Sequence, residues 1–197
     1  MTSTRERILE SALNIFSNKG YHDTKLDEIA AESETSKGSI YFHFPNKERL
    51  FLSLVDQFAD LLERRVTAAI EPLPPGMGRV QVALETCLQT FGKYRRPAKI
   101  LLVQATGLGQ PFEQKRNEVN DRFARLIDGY LQEAVAIGDI TAVDSEVTAH
   151  AWMGAIYALV IRWVYTGEPE PQRIIDSLVP LLLRSVGYVN EPITNNQ

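Results

Sequence analysis

The chain is poor in the residues that most often carry covalent and metal chemistry. Cys87 is its single cysteine, so no intrachain disulfide can form. Its three histidines, His22, His43 and His150, are scattered without metal-ligand spacing. Gly107-Leu108-Gly109 follows no strand pattern and lacks the third glycine of a dinucleotide loop, and Gly76-Met77-Gly78 fails likewise. The paired carboxylates Asp27-Glu28 read as a solvated helix face. No catalytic constellation, cofactor or metal site is expected, and the protein reads as something other than an enzyme. Long apolar runs are also missing. The longest, Ala151 to Ile161, has eleven residues, too short to span a bilayer and suited to a buried helix. The opening MTSTRERILE is polar and charged, unlike a secretory leader, so the chain reads as cytoplasmic with no membrane partner. Positive charge is not in excess either. With 21 Lys and Arg against 25 Asp and Glu, net charge is −4, which excludes indiscriminate coating of nucleic acid. Cys87 shares an apolar helical pattern with Val80, Leu84, Leu88 and Phe91 and reads as a buried, inert thiol.

What is present concentrates in residues 20 to 50, GYHDTKLDEIAAESETSKGSIYFHFPNKERL. They read as two short helices joined by a tight turn, then a third. Thr24 is placed to cap a helix whose apolar positions Leu26, Ile29 and Ala30 share one face. The polar run Ser33-Glu34-Thr35 ends it. Ser36 then caps a second helix, from Lys37 to about His43, whose first turn holds Lys37, Gly38 and Ser39 and no bulky side chain. A helix that begins with small and basic residues can enter a major groove and bring its amides close to phosphate. The arrangement is that of a helix-turn-helix. Between residues 36 and 49, Lys37, Lys47 and Arg49 outweigh Glu48. That surplus is modest, so affinity is expected from two copies of the surface.

The run from Gly20 to Leu50 resembles the DNA-binding signature of the TetR family of bacterial transcriptional regulators. The matching residues are Phe16, Gly20, Tyr21, Thr24, Ile29, Ala30, Ser36, Lys37, Gly38, Tyr41, His43, Phe44, Lys47, Glu48 and Leu50. At the turn the family usually carries a small residue, a glycine and an apolar residue, where this chain has Ser33, Glu34 and Thr35. Glu34 therefore requires a different turn or a strained positive φ. The resemblance implies phosphate contacts from Tyr41 and His43, and from Lys47 at the start of the next helix. The plainer alternative packs Tyr41 into the small core and leaves His43 on the surface. Base reading falls to Lys37, Gly38 and Ser39 with Thr35 beside them, and Thr24, Lys25 and Ser36 complete the DNA-binding set. Lys37 suits guanine acceptors, and Ser39 tolerates several bases.

Along the chain, helical periodicity predicts an all-α protein of about nine helices. The first runs from about Thr4 to Lys19 with Gly20 as its stop, and Phe16, Ile29, Ile40 and Phe44 are expected to pack together. Asn46 caps a long fourth helix to about Ile70. Further helices are expected over 78–94, 97–106, 112–137, 145–165 and 171–186, the last interrupted by Pro180. The division is a helix-turn-helix domain at 1–47 and a larger ligand-binding and dimerisation domain at 48–190, with a frayed tail after Gly187.

The resemblance also implies a small apolar ligand held within the helical body. Candidate lining residues are Phe58, Leu62, Phe91, Tyr94, Phe112, Phe123, Ile127, Tyr130, Trp152 and Tyr157, with Gln104 and Asn117 as polar anchors. The alternative is that these simply form the core. The stretch LLVQATGLGQPFEQKR is similar to that of regulators answering to fatty-acid or acyl-CoA ligands, with a multidrug-type aromatic ligand the competing class. TetR-type regulators pair through their last two helices, which implies a homodimer through Ile156, Leu159, Trp163, Leu178, Leu181 and Leu182. The functional expectation is a repressor released from a palindromic double-stranded DNA operator by that ligand. The alternatives are a helical lipid or small-molecule carrier, or a ligand-independent regulator acting through protein partners.

Overall fold

The computed structural model describes residues 3–188. Among them the secondary structure is helical throughout: α1 (Thr4–Lys19), α2 (Leu26–Glu32), α3 (Lys37–His43), α4 (Lys47–Ile70), α5 (Met77–Lys93), α6 (Arg95–Lys99), α7 (Gln110–Ala136), α8 (Ser145–Thr166) and α9 (Pro171–Ser185). The expected tail lies, except for Tyr188, outside the described residues.

Side chains set most helix starts. Ser3 Oγ accepts from the Glu6 N–H at 3.2 Å while the Glu6 carboxylate accepts from the Ser3 N–H at 2.7 Å, a reciprocal cap on α1. Asn46 Oδ1 accepts from the Arg49 N–H at 2.8 Å and starts α4. The expected cap on α2 is corrected. Lys25 holds that position, its N–H donating to the Glu28 carboxylate at 3.2 Å, whereas Thr24 is buried and its hydroxyl donates to the Gly20 carbonyl at 2.7 Å. The sixth helix also differs from its expected span of 97–106. It starts at Arg95, because Pro97 is tolerated in a first turn where its missing N–H needs no partner. It then widens into a π-helical turn over Ile100–Gln104, where the Ala105 N–H donates to the Ile100 carbonyl at 3.1 Å.

By compactness the chain divides into two units. One comprises the residues up to Glu63 together with Lys93–Val119. In it Phe16, Ile29, Ile40 and Phe44 are all buried, beside Ile8, Leu50 and Phe51. Four rings meet there. Phe16 lies 5.1 Å from Phe51, and Phe112 lies 5.0 Å from Tyr21 and 5.5 Å from Phe51, mostly edge to face. Lys99 Nζ donates to the Ser17 carbonyl at 2.7 Å, tying the segment 93–119 to the end of α1.

The other unit comprises Arg64–Gly92 and the chain from Asn120 onward. Leu84, Leu88 and Phe91 of α5, Leu131 of α7, Trp152, Ile156 and Val160 of α8, and Ile174, Leu178 and Leu182 of α9 are buried in it. Asp139 caps α5, its carboxylate accepting from the Met77 N–H at 2.8 Å. Trp152 Nε1 donates to Ser185 Oγ at 3.1 Å, linking α8 to α9. At Gly92 a Cβ would stand 2.8 Å from Pro171 Cβ, so the approach of α5 to the start of α9 requires glycine there. Cys87 keeps some residue surface, yet burial of its thiol pushes the pKa up to about 12, leaving it protonated at neutral pH. One expectation needs amending. The eleven-residue apolar run sits inside a 22-residue helix, α8, that is long and apolar enough by length and composition to cross a membrane. Its Trp152, Met153, Ile156, Val160, Trp163 and Val164 are buried.

Candidate nucleic-acid interface

The turn between α2 and α3 resolves the Glu34 question. Glu34 adopts φ +52°, the left-handed region, rather than a different turn. Its N–H donates to the Ala31 carbonyl at 3.2 Å and the Thr35 N–H to the Ala30 carbonyl at 2.9 Å. These are the two bonds of a Schellman helix end, in the place glycine usually takes. Ser33 reinforces it from inside. Its buried hydroxyl donates to the Ile29 carbonyl at 2.7 Å and lies 2.8 Å from Thr35 Oγ1. Thr35 thus spends its hydroxyl on the turn.

α3 follows as expected, with Ser36 Oγ accepting from the Ser39 N–H at 3.0 Å. Ile40 faces inward and is fully buried. On the outer side Lys37 and Gly38 are exposed, Ser39 is half-buried and Tyr41 is 47% exposed, so Tyr41 is no part of the small core. Lys37 Nζ spans both oxygens of Asp27 in α2, at 3.0 and 3.1 Å. Hydrogen bonding to that carboxylate raises the Lys37 pKa, so the ammonium stays charged. The half-buried His43 ring stands between Phe42, edge-on at 5.1 Å, and Phe44 at 6.3 Å.

Lys47 is placed otherwise than expected for an outward-pointing phosphate contact. Its Nζ donates to the Thr24 carbonyl at 2.7 Å and the His22 carbonyl at 3.2 Å, and lies 4.6 Å from the centre of the Tyr21 ring. Burial lowers its pKa. In this structure it clasps the loop before α2 to the start of α4. Lys25 is exposed beside that loop, while the buried Thr24 offers the outer surface little.

Residues 8–54 match the model of the bacterial regulatory proteins of the tetR family. The HTH-type transcriptional regulator RutR of Escherichia coli O157:H7 is 32% identical over 204 aligned positions, covering 100% of this chain and 88% of that protein. The chain belongs to the tetR family. It is a TetR-family transcriptional regulator. The fatty acid metabolism regulator protein of Bacillus subtilis is 22% identical over 91% of this chain and 94% of its own length. The fold is also that of the transcriptional regulator FadR from Bacillus subtilis, solved in complex with stearoyl-CoA, with a TM-score of 0.81 at 21% identity, covering 93% and 98% of the two chains.

For a TetR-family chain the expected ligand residues divide equally between the two units. Phe58, Leu62, Tyr94, Gln104, Phe112 and Asn117 belong to the first unit, and Phe91, Phe123, Ile127, Tyr130, Trp152 and Tyr157 to the second. Two of them are corrected. Phe112 is committed to the four-ring cluster with Phe16, Tyr21 and Phe51, and Asn117 is exposed at the surface rather than enclosed. Gln104 Nε2 reaches the Ser17 carbonyl at 3.5 Å, while its Oε1 is enclosed with no hydrogen-bond partner.

The expected pairing residues are corrected too. Ile156, Trp163, Leu178 and Leu182 are buried within the chain itself, because their stripe faces their own unit. Leu159 is half-buried, and only Leu181 is well exposed. The open side of α8 carries Val147, Ala151, Gly154, Ala158 and Tyr165 instead. Among the described residues no group of three or more His, Cys, Asp or Glu side chains is arranged to hold a metal ion. The residue that sequence reasoning passed over is Phe42, which stands 85% exposed on α3. Its signal was available. It lies two positions from the inward-facing Ile40, hence on nearly the opposite side of the helix.

Proposed function

We propose that the chain is a two-fold homodimeric repressor that reads a near-palindromic operator in double-stranded DNA with α3 and is released by an acyl-type apolar ligand. The observation that carries the DNA-reading role is Gly38. A Cβ there would meet only Ser36 Oγ, at an ordinary 3.7 Å. Glycine inside a helix costs about 0.5–1 kcal/mol relative to alanine, and nothing within the chain requires it here. A surface that must close on base edges supplies the reason. In this reading residues 1–47 form the DNA-binding head and 48–190 the ligand-binding and pairing part. Lys37 exchanges Asp27 for a guanine edge at little expense, since an ion pair in open solvent is screened and weak. Ser39 reads beside it, with Tyr41 and His43 donating to phosphates. The open stripe Val147, Ala151, Gly154, Ala158 and Tyr165 of α8, with Leu181 of α9, is the pairing face. Two copies of α3 then lie roughly 34–36 Å apart, one turn of DNA.

The ligand class rests on the FadR–stearoyl-CoA neighbour, the fatty-acid regulator among the relatives, and the stretch LLVQATGLGQPFEQKR. Release works through differential affinity for two body geometries, so operator DNA must weaken the ligand as much as the ligand weakens DNA. The protein acts in the cytoplasm. Fluorescence anisotropy on duplexes enriched from a random pool tests the reading. Gly38→Leu should weaken binding at least about a hundredfold with a thermal midpoint no lower than that of the wild type, and stearoyl-CoA should release the wild type. Undiminished binding by Gly38→Leu sinks the DNA-reading role. Equal stearoyl-CoA affinity with and without operator sinks the release.

A further inference from the structure

Phe42 is the most exposed large apolar side chain among the described residues, at 85%. An aromatic ring left in water forgoes the burial energy that places such rings inside proteins. Its place on α3 is specific. Two helical positions are about 200°, so Phe42 points nearly opposite the buried Ile40, straight away from the core of the head. Gly38 lies one turn earlier on the same outward line. Its missing side chain lets the helix backbone close on whatever α3 meets, which brings the ring of Phe42 to the same depth. His43 touches the ring from one side at 5.1 Å, with the two planes at 81°, and limits its swing.

The chemistry of the ring selects its target. A phenyl group neither donates nor accepts a hydrogen bond, so it cannot read the N7, O6, N6, N4 or O4 atoms of the major groove. The one base-edge feature there that matches an apolar ring is the C5 methyl of thymine. Tyr41 carries a hydroxyl for phosphate. Phe42, its neighbour, carries none. We propose that Phe42 is a specificity-determining residue that reads a thymine methyl in each half-site, an inference that rests on the DNA-reading role of α3.

The test uses the full-length protein and duplexes enriched by the wild type from a random-sequence pool. Each thymine is replaced singly by uracil, which removes one methyl and leaves every hydrogen bond in place. At one thymine per half-site the wild type should lose about fourfold in affinity, and about fifteenfold with both replaced. Phe42→Ala should bind the parent duplex that much more weakly and should not distinguish thymine from uracil. Phe42→Leu, apolar but smaller, should keep part of the discrimination. Both variants should melt as the wild type does, because the side chain is in water. If Phe42→Ala responds to uracil at every thymine as the wild type does, the inference is overturned. It is equally overturned if the variant loses the same factor on parent and unselected DNA, since the ring would then serve only the backbone. A protein that enriches no sequence at all removes the proposed function and this inference together. Enrichment without any uracil effect removes this inference alone.

Discussion

Helices α3 and α8 both leave apolar side chains in water, and they do so with side chains of opposite size. The seven-residue α3 exposes the rings of Tyr41 and Phe42. The 22-residue α8 exposes Val147, Ala151, Gly154, Ala158 and Tyr165, small through the middle, with His150 and Arg162 exposed beside them. A short helix with projecting rings is shaped to enter a groove. A long helix with a flat stripe is shaped to lie against another helix, where small residues allow close approach. Side-chain size is what separates the two proposed faces.

The largest expected effect breaks the α8 side of that contrast. Ala158→Glu should turn the proposed dimer into a folded monomer and cost at least about a hundredfold in DNA affinity, as two linked half-sites become one. Light scattering decides, and an intact dimer would move the pairing face elsewhere. The buried Trp163 is unsuited to this test, since a charge there would unfold the unit instead. On the α3 side the sharpest question concerns Lys47. Lys47→Ala should lower unfolding stability by about 2 kcal/mol, because two charge-assisted hydrogen bonds to carbonyls and a ring contact are lost together. An unshifted denaturant midpoint accompanied by uniformly weaker DNA binding would return Lys47 to the phosphate-contact role. Ser36→Ala should cost about 1 kcal/mol by removing the cap of α3, and its DNA affinity should fall with it. Amide exchange that leaves α3 as protected as in the wild type would contradict this. The smallest effect has the opposite sign. Glu34→Gly should stabilise by roughly 0.5–1 kcal/mol, since glycine takes the left-handed φ without strain. A lowered melting temperature would mean that the contact of Glu34 with Arg7, at 3.9 Å, outweighs the strain.

Much of the head was legible in the chain. Ser36 and Asn46 cap the helices they precede, α3 spans Lys37–His43 as its residues indicate, and Glu34 takes the positive φ, one of the two outcomes its position left open. Thr24 is not the cap its position suggested, and Lys47 and Phe112 have partners within the chain that their residue types did not indicate, for one shared reason. Thr24 turned back to the Gly20 carbonyl, Lys47 turned in to the His22 and Thr24 carbonyls, and Phe112 joined the rings of Tyr21 and Phe51. In each case a partner far along the chain, or across a loop, outcompeted the role that residue type alone suggested. The last two helices failed differently. Both faces of α8 are apolar enough to bury, so periodicity showed a helix without showing its inner side.

Helix starts, helix stops, the broken turn and the helix-turn-helix order were determined by the sequence itself, because each depends on residues within about four positions of one another. Which lysine stays in water and which stripe of α8 remains open were decided only by the tertiary structure. Burial is set by what arrives from elsewhere in the chain, and no local pattern contains that information.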